Sequence, residues 1–160
     1  MNDILAIQNL IARFASSFDL RDWSTLEGCL APQVFTDYSD LRGTPPETLP
    51  AAEYVRLRME ALASLTTHHL LGNLEIDFST PDEATCRASM IIWRIQSIPK
   101  DQTLRDVAGE FRTHCLYTFR LLQEAGAWKI GGITQRVLWN SGTPEMHSGV
   151  KTWEGLHPIG

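Results

Sequence analysis

Two adjacent histidines, His68 and His69, open the stretch TTHHLLGNLEIDF. Imidazole is the side chain that exchanges a proton near neutral pH, so the pair offers proton transfer, metal ligation or plain structural hydrogen bonding. Neighbours on a strand point to opposite faces, and no Cys or His lies at ligand spacing from either one, which reads as no metal site. A second polar interruption is Asp19 in ASSFDLRDW, directly after Phe18. Asp22 is the better N-cap for the helical segment DWSTLEG, so Asp19 needs another purpose. Arg94 ends the apolar row Ala88, Met90, Ile92, either as a rim cation with a packed stem or as a charge inside. Phe111, Thr113, Cys115, Tyr117 and Phe119 share one strand face, read as core or pocket wall, while Arg112, His114 and Arg120 take the other. The chain has no phosphate-binding glycine loop, no GxSxG elbow and no HExxH, and Gly131–Gly132 alone is no dinucleotide fingerprint.

The elements that must position these groups are legible as periods. Ile4, Ile7, Ile11, Phe14 and Phe18 follow 3-4 spacing after an Asn2/Asp3 cap and predict a helix to about Phe18. A short helix follows at RDWSTLEGCL, then a strand at APQVFTDYS, a Pro- and Gly-bearing loop at DLRGTPPETLP, and a third helix at AAEYVRLRMEALASL with Tyr54, Leu57 and Ala61 or Leu62 on one face. Four long segments rich in β-branched and aromatic residues come next, divided by STPDE, PKDQTLRDVAG and EAGA. Helices followed by a run of strands predict an α+β fold with three N-terminal helices on one face of a curved antiparallel sheet. In the first long strand, Leu70, Leu74, Ile76 and Phe78 share the parity of His68, and Leu71, Asn73, Glu75 and Asp77 that of His69. Simple alternation sends His68 to the core, whereas a bulge reverses the assignment, so parity leaves the choice open.

At 160 residues and 43% hydrophobic the chain suits one domain, expected over residues 1–140, with a tail over 141–160 that loses periodicity but carries Trp153. A formal charge of −5 and the lack of a Lys/Arg run argue against nucleic acid and anionic membranes as partners. Cys29, Cys86 and Cys115 suit buried reduced thiols, and the N-terminal segment MNDILAIQNLIARF shows no cleavage signal; the expected location is cytoplasmic.

The order helix, FD-x-x-x-W, strand ending in DY, helix, HH-x-x-G, then strands closing in GAWKIGGI resembles the SnoaL-like branch of the nuclear-transport-factor-2-like superfamily, in pattern nearest to scytalone dehydratase and bile-acid 7α-dehydratase. The resemblance runs from about Ile7 to Trp139. It implies a cone: a curved sheet wrapped against helices around a deep apolar pocket. It places the family's catalytic Asp on Asp19, its catalytic His on His69 and its substrate-oxygen tyrosine on Tyr38, with His68 a structural neighbour. It departs from the pattern at Phe14, Phe18, Arg94, Cys115 and Tyr117, where dehydratases carry Tyr, Tyr, His, Ser and Asn. The implied lining is Phe18, Trp23, Tyr54, Met90, Ile92, Arg94, Phe111, Cys115 and Tyr117.

With the dyad kept and its partners changed, the resemblance implies general-base chemistry in an apolar pocket rather than scytalone as such. The leading expectation is a lyase, a dehydratase needing no cofactor, acting on a hydrophobic cyclic, polyketide-like or terpenoid-like substrate. An isomerase or cyclase with the same base is the alternative, and a non-catalytic ligand binder or dioxygenase β-subunit-like protein is the alternative of another class. A homo-oligomer (dimer, trimer or tetramer) formed through the convex sheet face is expected, and the tail with Trp153 is either a pocket lid or an ordinary loose terminus.

Overall fold

Helix α1 (Asp3–Leu20) buries one stripe, Ile7, Leu10, Ile11, Phe14, Ala15 and Phe18, and this stripe is the centre of the core. The computed structural model describes residues 3–96 and 109–147. Asn2 of the expected cap falls outside them, and Ile4, expected on the apolar stripe, is exposed because the stripe turns through Leu10 instead. After α1, Asp22 caps α2 (Trp23–Cys29), accepting from Thr25 N at 3.0 Å and Thr25 Oγ1 at 2.7 Å. Asp19 is thereby left for other work.

Strand β1 (Leu30–Asp37) follows, and then the stretch read as a loop folds into a one-turn helix α3 (Ser39–Arg42) and a short strand β2 (Glu47–Pro50). The turn forms because Asp37 Oδ1 accepts from Ser39 N and Oγ, while Gly43 takes the left-handed backbone, φ 72°, that ends it. Helix α4 (Ala51–Leu62) buries Tyr54, Val55 and Leu62. Four long strands complete the chain: β3 (Leu65–Thr80), β4 (Glu83–Gln96), β5 (Glu110–Glu124) and β6 (Ala127–Gly142). β6 continues past Asn140, and a 3-10 turn follows at Pro144–Met146. Trp153, with the lid reading, and most of the PKDQTLRDVAG connection lie outside the described residues.

The six strands form one curved, unclosed sheet in the order β2-β1-β6-β5-β4-β3, with the helices on its concave side. The sheet is not wholly antiparallel as expected: β1 runs parallel to β6, with Thr36 opposite Ile133. The early strand and the last one enter the sheet in the same direction, β1 from α2 and β6 from the β5 hairpin. β3 pairs only with β4 and is therefore an edge. Among the described residues no helix is long and apolar enough to cross a membrane.

The histidine question is decided by a bulge. Gly72 pairs with Ser89 and Glu75 with Arg87, so three steps on β3 oppose two on β4, and Asn73 takes up the extra residue at φ 50°. Before the bulge the odd residues Leu65, Thr67, His69 and Leu71 turn inward; after it Leu74 and Ile76 do. Simple alternation therefore misleads here. His68 lies on the convex side, stacked on Trp93 with ring centroids 5.7 Å apart. Along with His68 and Trp93, Leu70, Leu116 and a His114–Trp139 stack at 3.6 Å make that side an aromatic and aliphatic surface.

Because the left-handed region costs a β-branched residue about 1–2 kcal/mol, Asn73→Val is expected to lower unfolding stability by that much, with Asn73→Gly neutral or stabilising. Urea denaturation of the two variants checks this, and equal midpoints would mean that the bulge tolerates any residue.

Candidate active site

The last turn of α1 and the inward face of β3 meet at Asp19. Its Oδ1 lies 2.6 Å from His69 Nδ1 and accepts from Thr67 Oγ1 at 2.9 Å, while Oδ2 accepts from the His69 backbone N at 2.8 Å. Arg21, in a left-handed kink at φ 58°, clamps the same corner: its Nη2 donates to Leu62 O at 2.9 Å and to Leu65 O, tying the end of α4 and the start of β3 to the end of α1. The His69 ring stacks against Phe18, centroids 5.2 Å apart, and its side chain is 8% exposed.

This geometry sets the proton inventory. With a carboxylate on Nδ1, the neutral ring carries its proton there and presents Nε2 as the basic nitrogen. Burial lowers the imidazole's pKa below 6.5, and Arg94 and His68 push the same way, against the pull of Asp19. Burial would raise Asp19, yet the hydrogen bonds and charge of His69, with Thr67, hold it below the ordinary carboxylate value. At neutral pH the pair is thus a carboxylate beside a neutral imidazole, the resting state of a general base.

The dyad opens into a pocket with about 520 Å3 of empty space including its mouth. One wall is apolar: Phe14, Phe18, Leu62, Met90 and Ile92. The rest of the lining is largely polar. Tyr38 and Tyr54 share a hydrogen bond between their hydroxyls at 2.8 Å, with the Arg58 guanidinium carbon 5.3 Å from both ring centroids. Tyr117 accepts from Gln135 Nε2 at 3.0 Å, leaving Gln135 Oε1 a buried acceptor without a partner among the described residues. Arg94, 4% exposed, donates from Nη1 to Thr113 Oγ1 at 2.9 Å. Burial pushes all three tyrosines above their usual pKa, so they stand as neutral donors, and lowers Arg94 to about 10.

The structure therefore gathers Asp19, His69, Tyr38, Phe18, Tyr54, Met90, Ile92, Arg94 and Tyr117 at one place. It places Arg94 inside rather than on a rim. Three expected lining residues sit behind the wall. Trp23 packs edge-on to Phe18, centroids 6.4 Å apart, half-buried against the core at the start of α2. Phe111 belongs to a small cluster with Leu41 and Val137, under the Arg94 guanidinium at 5.3 Å. Cys115 points its thiol at Met90 O, 3.4 Å away, and burial pushes that thiol up to about 12, so it is no nucleophile.

Sequence reasoning missed Thr67, Arg42, Arg58, Gln135 and His147, all of which line the pocket. Arg58 had a signal, four residues after Tyr54 on the same helical face. Thr67 had one in sharing the parity of His69. His147 returns to the pocket because β6 turns at Gly142, where φ is 89° and a Cβ would stand 2.0 Å from the Glu110 carbonyl oxygen. Among the described residues no group of three or more His, Cys, Asp or Glu side chains is set to hold a metal.

A curved sheet packed against N-terminal helices is the fold of nuclear-transport-factor-2-like proteins, such as the dehydratase-like protein of that family from Streptomyces avermitilis, which superposes with a TM-score of 0.71 at 15% identity, over 86% of this chain and 97% of that one. The SnoaL-like domain family matches residues 1–134, and the chain belongs to that family. The scytalone dehydratase-like protein claB of Passalora fulva is 28% identical over 141 residues, covering 86% of each chain. The scytalone dehydratase of Pyricularia oryzae is 24% identical, over 86% of this chain and 81% of its own. Among solved structures, the Kfla4162 protein of Kribbella flavida superposes with a TM-score of 0.79 at 18% identity, over 90% of this chain and 95% of that one. The hexachlorocyclohexane dehydrochlorinase LinA-type3 of Novosphingobium barchaimii does so at 0.67 and 14%, over 96% and 95%. These structural likenesses bear on fold alone.

The opposed influences on His69 give a titration test with a definite sign. By NMR its midpoint should fall below 6.5, and Asp19→Asn, which removes the charge favouring imidazolium, should lower it further; a rise in the variant would contradict the pairing. Because the unfolded chain binds this proton in the window between the folded midpoint and 6.5 while the folded chain does not, stability should rise with pH across that window.

Proposed function

We propose that the protein is a dehydratase that needs no cofactor, with His69 as general base and Asp19 as the group that orients it. At the family level this is a dehydratase- or isomerase-type enzyme, in keeping with relatives named scytalone dehydratase. The observation that carries the finer reading is the doubled contact of one carboxylate with one histidine, 2.6 Å to Nδ1 and 2.8 Å to the backbone N, with that histidine lining the pocket.

The chemistry follows from that contact. His69 Nε2 takes a proton from the carbon next to a carbonyl of a hydrophobic cyclic, polyketide-like or terpenoid-like substrate, and the electron pair moves to the carbonyl oxygen as an enolate. Arg94 and the hydroxyls of Tyr38 and Tyr117 are donors for that oxygen, in a site already desolvated. When the enolate collapses, the electrons re-form the carbonyl and a carbon–carbon double bond while the β-hydroxyl leaves, protonated by the His69 imidazolium as water. Asp19 keeps its charge throughout and stabilises the imidazolium.

Native mass spectrometry against a panel of apolar carbonyl and hydroxyl compounds supplies a substrate, and product analysis shows whether water is lost. On that substrate His69→Ala and Asp19→Asn should lower kcat by about 10²–10⁴-fold with unchanged circular dichroism. His68→Ala, whose ring lies on the convex side, should stay within a few-fold of the native rate. Native activity in either dyad variant would overturn the base assignment.

For assembly, we propose a second copy of the chain on the convex aromatic surface. The surface is apolar, and the Arg87–Glu75 and Arg112–Glu110 pairs on that side carry both signs of charge, which suits a self-complementary contact. Sedimentation velocity should show a native oligomer and a Trp139→Glu monomer; a native monomer would remove the proposal.

A further inference from the structure

Three guanidinium groups, those of Arg42, Arg58 and Arg94, face one pocket, and none of them has a carboxylate partner among the described residues. On the surface Arg56 pairs with Glu53 and Glu60, Arg87 with Glu75 and Arg112 with Glu110, while Arg13, Arg120 and Arg136 lie exposed in water, where a cation needs no counter-charge. The chain carries 19 acidic residues against 14 basic ones, so carboxylates are plentiful, yet among the described residues none pairs with these three cations, of which Arg94 is fully buried and the other two half-buried. Arg94 has a neutral hydroxyl, Thr113 Oγ1, and Nε of both Arg42 and Arg58 is a buried donor without an acceptor among the described residues.

Such an arrangement is electrostatically costly on its own. A buried charge needs a counter-charge, and neighbouring like charges add repulsion: Arg42 feels Arg58, and Arg94 feels Arg42. The tyrosines between them do not neutralise the cluster, since burial keeps Tyr38, Tyr54 and Tyr117 protonated. They add hydroxyl donors to it. The pocket thus combines a cationic, donor-rich lining with a hydrocarbon one.

We propose that this cationic lining binds a carboxylate carried by the substrate, gripped by Arg42 and Arg58, with Arg94 left for the oxygen that becomes the enolate. The inference deepens the dehydratase reading and rests on it for the orientation of the ligand toward His69. A planar guanidinium matches a carboxylate with paired N–H donors, which is why two arginines select an acid over its amide. The substrate class is accordingly an alicyclic or aromatic acid whose apolar body lies against Phe14, Phe18, Met90 and Ile92.

Calorimetry with 2-naphthoate and its isosteric amide, 2-naphthamide, tests this on the whole chain. The acid should bind about tenfold or more tightly than the amide, as charge-assisted hydrogen bonds require, and lose affinity as salt rises. Arg42→Gln and Arg58→Gln should each weaken the acid by about tenfold and leave the amide nearly unchanged. Equal affinities in the native protein, no acid binding at all, or unaltered acid affinity in folded Arg→Gln variants would each overturn the proposal. His69→Ala separates the two readings: it should lose turnover and keep the acid. An acid that binds while His69→Ala still turns over leaves the anion site standing and removes the base; loss of turnover without acid binding does the reverse.

Discussion

Asp19 joins α1 to β3 by three hydrogen bonds, to the Thr67 hydroxyl, the His69 ring and the His69 backbone. Much of the site's geometry is hung from this joint. Three different donors on one carboxylate set the height of the helix end over the strand, the rotamer of the imidazole and its tautomer together. Arg21, two residues on, ties the same corner to the end of α4, so the helical layer and the sheet edge are held at the point where proton transfer would occur. Precision at a base comes from such over-determination, because a ring held by one contact alone would be free to turn.

The strand supplying the histidine is able to serve two surfaces because of its bulge. Its first half gives Thr67 and His69 to the pocket; its second half gives Leu74 and Ile76 to the core beside α1. A regular strand would have to put His68 and Leu74 on one side and His69 with Glu75 on the other. One residue in a left-handed conformation relieves that conflict, and Asn is among the few side chains that accept it cheaply.

Much of this was readable in advance, for identifiable reasons. Helix periods, strand alternation and the better capping geometry of Asp22 are local, and they gave the α+β layout and marked Asp19 as unexplained. The resemblance then paired Asp19 with His69 across fifty positions that no local rule connects. What stayed hidden depends on tertiary placement. Arg42 lies in a segment that reads as loop, and only the Gly43 turn brings it to the pocket. Gln135 looks like an ordinary polar residue in a strand until its bond to Tyr117 is seen. Phe111 and Cys115 are buried and Trp23 partly buried, as their types suggest, but burial does not distinguish the wall of a pocket from the layer behind it.

The bond from the His69 backbone to Asp19 has a meaning beyond the site. Among the described residues β3 is the last strand of an open sheet, and that amide points away from its partner β4. An unpaired edge N–H is a template for another chain, and natural sheets blunt such edges with charge. Asp19 therefore also satisfies an edge N–H, placing a carboxylate where a pairing strand would put its acceptor. Chemistry and colloidal behaviour are linked through one side chain: a replacement that keeps an acceptor there protects the edge even if it silences the imidazole, and one that removes it bares both.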